Sequence, residues 1–224
     1  MQTATARRTA AVAIAVPAKR PRGRPRKTVD ERDDGNRRRA LILGAARLFR
    51  RQGFAATSTR DIAAAAGMQS GSPFYHFESK QVLLFAVMEE GMRSALERQG
   101  EALRKAAAET PDSAGQLRLL VRNHFQVLLG AGSDFIPVML YEARSITQRQ
   151  RNTLAALQSE YEAAWTPVLE ALHASGQLKA DVKLARLMIF GALNWSVQWF
   201  DPRKGASIED LTDAAMGLFI GEAK

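Results

Sequence analysis

The residue types that most often carry out chemistry are few in this sequence, and they are spaced too widely to form a catalytic or metal site. The three histidines, His76, His124 and His173, form no pattern such as HExxH. The chain has no cysteine, which excludes disulfides, zinc–thiolate sites and a cysteine nucleophile. It also lacks a Walker loop, a GxGxxG turn and a GxSxG elbow. The sequence therefore favours a protein that binds, without a cofactor or a metal, over an enzyme.

One local group of charges needs an explanation of its own. Glu142 and Arg144 lie two residues apart in a helical stretch, and we interpret them as members of an intrahelical or interhelical ion pair. An acid–base pair is the alternative, but no further catalytic group can be assembled around it.

The positive charge of the chain is concentrated at its N-terminal end. The formal net charge is +9, and residues 1–60 hold 16 Lys/Arg against 4 Asp/Glu, whereas the remainder holds 16 against 19. Clustered cations are favoured by a polyanion, because binding neutralises phosphates and releases counterions. The charge pattern therefore predicts a nucleic-acid partner at this end, with a merely solvated basic tail as the alternative.

Within this basic region, the segment 19–27 has a recognisable centre. Arg22-Gly23-Arg24-Pro25 is flanked by further Lys and Arg residues and resembles an AT hook. An extended Arg-Gly-Arg segment is narrow enough for the minor groove of A·T-rich DNA, where negative potential attracts arginine. The resemblance implies that Arg22 and Arg24 enter the minor groove; a generic basic tail is the alternative.

The predicted secondary structure that must position these charged and polar residues is entirely helical. We expect residues 1–35 to be disordered, and the apolar periodicity and breakers after them predict about nine helices without strands. The predicted helices lie near 37–52, 58–65, 70–76, 78–108, 112–129, 134–145, 147–174, 182–200 and 207–221. Pro137 and Pro167 are expected at kinks or in first turns. No apolar run reaches the length of a membrane span, and residues 9–18 only loosely imitate a signal peptide, so we expect a cytoplasmic protein.

Two short predicted helices joined by a glycine turn lie near the N-terminus. The predicted helix that precedes these two has one apolar stripe, which includes Ile42 and Phe49. This helix ends at Gly53. Ser58 with Asp61 predicts a capping box, and Gly67 supplies the turn before the helix at 70–76. This arrangement predicts a helix-turn-helix unit whose second helix enters the major groove.

An ordered series of short motifs gives this unit a family resemblance. The series comprises Ile42 to Phe49, Gly53-Phe54, Thr57-Ser58, Asp61-Ile62-Ala63, Ala66-Gly67 and Tyr75 to Lys80. It resembles the head of the TetR/AcrR family of transcriptional regulators. The resemblance implies an all-α fold with a three-helix DNA-binding head at 36–82 and a ligand-binding, dimerising helical body at 83–224. It also implies a ligand-responsive repressor that binds a palindromic operator as a homodimer.

The same resemblance implies roles for individual residues of the head. Phosphate contacts are expected from Thr57, Arg60, His76 and Lys80, and base contacts from Gln69, Ser70, Ser72 and Tyr75. Two positions depart from the family, which usually has an aliphatic residue and a tyrosine where this chain has Pro73 and Phe74, so the DNA contacts of these two positions stay open. We interpret Phe74 and Phe77 as core residues and Ser58 as a helix cap.

The body contains bulky, adaptable side chains and a tail rich in small residues. The expected ligand pocket comprises Phe125, Phe135, Met139, Tyr141, Trp165, Met188 and Trp195, with ordinary core packing as the alternative. In TetR-like proteins the last two helices form an intersubunit four-helix bundle, which implies dimerisation through Leu184, Gly191, Ala192, Ala215 and Leu218. The stretch 191–202 resembles a subgroup in which some members respond to acyl-CoA thioesters. A hydrophobic effector, an acyl-CoA thioester among the possibilities, is therefore expected.

A purely architectural DNA-binding protein is the competing class of function. The basic N-terminal segment is compatible with it, but the long helical body is not needed to bend DNA. The effector, the operator and the choice between repression and activation stay open at this level.

Overall fold

The computed structural model describes residues 29–68, 75–109, 112–130 and 132–220, and the regular elements in these ranges are all helical. They are α1 (Val29–Ala56), α2 (Thr59–Ala65), α3 (Lys80–Glu109), α4 (Ser113–Leu129), α5 (Phe135–Glu142), α6 (Gln148–Ala163), α7 (Thr166–Ala174), α8 (Val182–Trp195) and α9 (Ile208–Phe219). The expected all-α class is confirmed. The predictions at Arg22, Arg24, Gln69, Ser70 and Ser72, and most of the predicted helix 70–76, lie outside the described residues.

The first helix begins earlier than the sequence analysis expected. α1 starts at Val29, so residues 29–35 are helical although they were expected to be disordered. Four acidic residues lie among residues 30–34, and acidic residue types are favoured near the start of a helix. Thr28 followed by Glu31 also fits the capping-box spacing, a signal that the basic composition of the region concealed.

The helix ends and turns of the head lie where the sequence predicted them. Gly53 takes φ 80° and ψ 162° and interrupts α1 where the sequence predicted its end. The Ser58–Asp61 capping box is present, and Gly67 takes φ 72° in the turn after α2. α1 and α2 pack closely, because a Cβ at Gly44 would lie only 3.3 Å from Ala65 Cβ. The slim alanine-rich α2 therefore allows the two helices to approach each other.

The body is built around α3, a helix of 30 residues that spans about 45 Å. It packs against α4, α5 and α6, and α4 packs against α7 and α9. The buried apolar residues form one continuous cluster that runs from Leu41 in the head through Met88 in α3 to Leu169 in α7. Head and body therefore share a core. No helix in the described ranges is long and apolar enough to cross a membrane.

One long predicted helix is divided in two in the structure. The predicted helix 147–174 is two helices, α6 and α7, which separate at Ala164 and the buried Trp165. Pro167 lies in the first turn of α7 and Pro137 in the first turn of α5, where proline's missing N–H costs no helical hydrogen bond. Of the two positions predicted for each proline, a kink or a first turn, the structure has the first turn in both cases.

Candidate DNA-binding head and effector cavity

Lys80 fastens the start of α3 to the end of α1. Its Nζ donates hydrogen bonds to the carbonyl oxygens of Phe54 and Thr57, each at 2.8 Å, and lies 4.3 Å from the centre of the Phe54 ring. Carbonyls at a helix C-terminus lack intrahelical donors, so a lysine there satisfies them. In this structure Lys80 therefore has a role inside the head, and its phosphate contact stays a prediction.

Thr57 and His76 are likewise engaged within the protein. Thr57 is 1% exposed and its hydroxyl donates to the Gly53 carbonyl at 2.7 Å, so it is not presented to DNA in this structure. The His76 side chain is 5% exposed, and its Nδ1 lies 3.5 Å from Asp34 Oδ1 in α1. Both residues therefore have intramolecular partners in this structure, and their phosphate contacts stay predictions.

Arg60 and Tyr75 remain available on the surface of the head. Arg60 is exposed in the first turn of α2, and Tyr75, which precedes His76, is 82% exposed. Phe77 is buried, as predicted, and the Arg38 guanidinium lies 4.9 Å from the centre of its ring. Arg38 was not singled out from the sequence, because a lone arginine on a basic helix gives no sign of an aromatic partner.

Helix α5 is bound to the head at both of its ends. At its C-terminal end, Glu142 Oε1 accepts the Phe54 N–H at 2.8 Å, directly after the break at Gly53. At its N-terminal end, Arg50 Nη1 donates to Asp134 Oδ1 and to the Ser133 carbonyl, each at 3.1 Å. Glu142 therefore binds a backbone N–H in the head, where an ion pair was expected.

The opposite face of α5 lines a cavity in the body. The cavity has a volume of about 40 Å³, which is small for a drug-sized ligand. The lining comes from α3, α4, α5, α6 and α8: Met92, Ala95, His124, Val127, Ile136, Met139, Leu140, Gln158, Tyr161, Glu162, Phe190 and Asn194. A mainly apolar wall with a few polar groups is typical of a small-molecule site.

The structure places only one of the seven predicted pocket residues, Met139, in this lining. Phe125 and Trp165 are buried in the core; Phe135 borders a shallow cleft beside α3; Tyr141, Met188 and Trp195 are exposed. Selecting residues by bulk alone could not separate core, cavity and surface. A better signal was available in α4, where Asn123 and His124 interrupt a buried apolar face.

A chain of hydrogen bonds crosses one wall of the cavity. His124 Nδ1 lies 3.2 Å from the Tyr161 hydroxyl, and His124 Nε2 lies 3.2 Å from Asn194 Oδ1. Because Oδ1 can only accept, Nε2 carries the hydrogen and Nδ1 accepts from Tyr161. Burial lowers the pKa of His124 to about 4, against a smaller opposing effect of the bond to Asn194. The imidazole is therefore neutral at neutral pH.

Sequence comparisons agree with a DNA-binding head on such a body. The family model described as the tetracyclin repressor-like C-terminal domain matches residues 110–222, and the model for bacterial regulatory proteins of the tetR family matches residues 41–87. The chain belongs to the TetR family. It is accordingly a DNA-binding transcriptional regulator, as the sequence predicted. An AT hook motif also matches residues 19–31 of this TetR regulator.

The TetR regulator is similar to known proteins over most of its length. It is 28% identical over 194 residues to the HTH-type transcriptional repressor KstR2 of Rhodococcus jostii (strain RHA1), covering 85% of this chain and 93% of that one. It is 27% identical over 183 residues to the fatty acid metabolism regulator protein of Bacillus subtilis (strain 168), covering 80% and 92%. The structure of AibR in complex with isovaleryl coenzyme A and operator DNA matches with a TM-score of 0.72 and 25% identity, covering 82% and 97%.

The TetR regulator also exposes an apolar stripe along α8 and α9. The exposed residues on these helices include Leu184, Leu187, Met188, Gly191, Ala192, Trp195, Gly217 and Leu218. Their spacing in α8 repeats every three to four residues, so they share one helix face. Four of the five predicted dimerisation residues are in this set. The fifth, Ala215, is 6% exposed and packs in the core of the single chain, so it does not lie on this exposed stripe.

Proposed function

We propose that this TetR regulator is a repressor that binds a palindromic operator as a homodimer. We propose that it releases the operator when an acyl-CoA thioester enters the cavity beside α5. The observation that carries this proposal is that α5 contacts both the cavity and the head. Its Ile136, Met139 and Leu140 line the cavity, while Asp134 and Glu142 hold the head.

The small free volume of the cavity explains how a ligand would change the head. The cavity volume is only about 40 Å³, so an acyl chain can enter only if lining side chains move. Met92 and Met139 are flexible, but α5 is short and closely packed on α3, so part of the displacement falls on the helix. A shift of α5 pulls on the bonds to Arg50 and Phe54 and thereby tilts α1.

In a dimer, a tilt of each head changes the distance between the two recognition helices. Operator half-sites lie about 34–36 Å apart, so one of the two spacings binds DNA poorly. The coupling is a difference in affinity, and operator DNA must therefore weaken the ligand by the same factor.

The acyl-CoA assignment is supported by the relatives and by the cavity. AibR was crystallised with isovaleryl coenzyme A and operator DNA, and a second relative is a fatty acid metabolism regulator. The mainly apolar lining suits an acyl chain. We further propose that the protein acts by binding alone, without catalysis, and that it works in the cytoplasm, where its DNA partner lies.

The proposal is tested by a titration on DNA. An operator is first selected from random DNA with the purified full-length protein, and its affinity is then measured with isovaleryl-, octanoyl- or palmitoyl-CoA, and with free CoA as the control. A coupling of about 1–3 kcal/mol predicts a 5- to 150-fold loss of operator affinity with at least one thioester. The same thioester should raise the melting temperature, because it stabilises the native state. If DNA affinity is the same with all three thioesters, the acyl-CoA assignment fails, and the architectural alternative gains support.

A further inference from the structure

The polar wall of the cavity ends in an amide group that has hydrogens left to donate. Tyr161 donates to His124, and His124 donates to Asn194 Oδ1, so the direction of the chain is fixed from its buried end outward. Among the described residues, the hydrogen-bond partner of the Asn194 side chain is His124, which binds Oδ1 and leaves the Nδ2 hydrogens unused. Asn194 itself lines the cavity. This end of the cavity therefore offers a neutral donor to whatever enters.

The buried partners hold this chain in one orientation. Gln99 Nε2 donates to the Tyr161 carbonyl at 2.9 Å, and Gln99 Oε1 accepts from Trp165 Nε1 at 3.0 Å. The His124 ring packs edge-on against Phe190, with 5.3 Å between ring centres. Because His124 and Tyr161 are both buried and bonded to each other, they fix the position at which the Asn194 amide oxygen is held.

The charges of the lining disfavour an anionic ligand group. The lining contains no lysine or arginine, and its one carboxylate, Glu162, lies 3.7 Å from Arg186 and accepts from Gln158 Nε2 at 3.1 Å. The neutral His124 adds no positive charge. A carboxylate placed here would lose its hydration without gaining a cationic partner, which is costly.

We propose that Asn194, held by His124 and Tyr161, is a carbonyl-recognition site that selects an uncharged ester or thioester and rejects the free carboxylate. The inference rests on the proposed function only in taking this cavity as the effector site, and it holds whether or not coenzyme A is part of the effector. It separates an activated acyl group from the corresponding free acid, which has the same hydrocarbon chain.

Three small probes with the same chain test this proposal: methyl hexanoate, methyl hexyl ether and sodium hexanoate, each titrated into the full-length protein by calorimetry at neutral pH. A net hydrogen bond of about 0.5–1.5 kcal/mol predicts that the ester binds about 2- to 13-fold more tightly than the ether. Hexanoate should bind at least about a hundredfold more weakly than the ester, because its charge stays unpaired.

Asn194→Leu should remove the difference between ester and ether, because leucine has a similar volume but no donor. Met139→Leu is the matched control on the apolar wall and should change both affinities alike, leaving their ratio intact. Equal binding of ester and ether by the natural protein, retention of the preference in Asn194→Leu, tight binding of hexanoate, or binding of none of the probes would overturn the proposal.

A spectroscopic readout on the natural protein covers the case in which Asn194→Leu does not fold. The carbonyl stretch of isotope-labelled methyl hexanoate should move to lower frequency on binding, relative to its value in hexane, because a donated hydrogen bond weakens the C=O bond. An unshifted stretch would overturn the carbonyl assignment. The acyl-CoA titration on DNA can fail while this site is confirmed, so the two proposals are distinguished.

Discussion

At the scale of single residues, Lys80 and Arg60 show what residue type and spacing leave undecided. Both are cationic residues of the head, at positions where TetR proteins contact phosphates. In the structure Lys80 is turned inward onto two carbonyl oxygens, whereas Arg60 is exposed on α2. The direction of a long side chain depends on acceptors 23 and 26 residues away in the chain, which no local pattern encodes.

Truncation of Lys80 is therefore expected to lower stability, whereas truncation of Arg60 is expected to lower DNA affinity. Lys80→Ala should lower the free energy of unfolding by about 2–3 kcal/mol, because two carbonyls lose a charged donor. Arg60→Ala should leave stability unchanged but weaken operator and random DNA alike, and reduce the salt slope of binding by about one. Urea melts and salt-dependent anisotropy measure the two quantities, with Arg149→Ala on the surface of α6 as the control. A stable Lys80→Ala protein with a shallower salt slope would restore the phosphate role.

His124 predicts how stability depends on pH. Its pKa is lowered from 6.5 to about 4 by burial, so below pH 6.5 the unfolded chain binds a proton that the native protein does not. The native state therefore loses stability as the pH falls toward 4, by about 2 kcal/mol between pH 7.5 and pH 5. Urea melts of the natural protein and of His124→Gln should differ in pH dependence by this amount. Parallel pH profiles would show that His124 is not buried in its neutral form.

At the scale of elements, one glycine of α3 allows α5 to pack closely against that helix. A Cβ at Gly91 in α3 would lie 2.6 Å from Phe135 Cβ, closer than packed side chains allow. Gly100 is in the same helix, and there a Cβ would meet only the flexible end of Arg104 at 3.4 Å. The two positions thus differ in packing but share the helical backbone.

Alanine at these two glycines should change stability in opposite directions. Gly100→Ala should stabilise the protein by roughly 0.5–1 kcal/mol, since alanine is the better helix former. Gly91→Ala should destabilise it by about 1–3 kcal/mol through overpacking, and should also change operator affinity because α5 is displaced. Thermal melts and DNA titrations of both variants test this. Two variants of equal stability would show that α5 does not pack closely on α3.

The sequence predicted elements better than it predicted contacts between them. The Ser58–Asp61 cap and the breaks at Gly53 and Gly67 are local, and each was predicted. The hydrogen bond between the Phe54 N–H and Glu142 joins residues that are 88 positions apart, so the local sequence around either residue does not predict it. The cavity is likewise assembled from five helices, which explains why bulk alone identified only Met139.

At the scale of the whole molecule, the exposed stripe on α8 predicts the quaternary structure. Met188 is 73% exposed in the middle of an apolar face, which a soluble protein normally covers. Met188→Glu should therefore give monomers that bind the palindromic operator weakly, because the two half-sites are no longer contacted together. Ala156→Glu, on the exposed surface of α6, is the matched control and should stay dimeric. Light scattering decides the question: a monomeric natural protein at micromolar concentration contradicts the homodimer.

The N-terminal segment supplies the last prediction, and the start of α1 sets its design. Removal of residues 1–27 deletes eight Lys/Arg and no acidic residue, yet keeps Thr28 ahead of the helix that begins at Val29. The loss of charge should weaken binding to all DNA, since each neutralised phosphate contributes to affinity. If Arg22 and Arg24 enter the minor groove, operators with A·T flanks should lose more affinity than those with G·C flanks, where the guanine amino group obstructs the groove. Arg24→Ala should reproduce much of this selective loss while removing one charge. Equal losses on both flanks would reduce the segment to a generic basic tail.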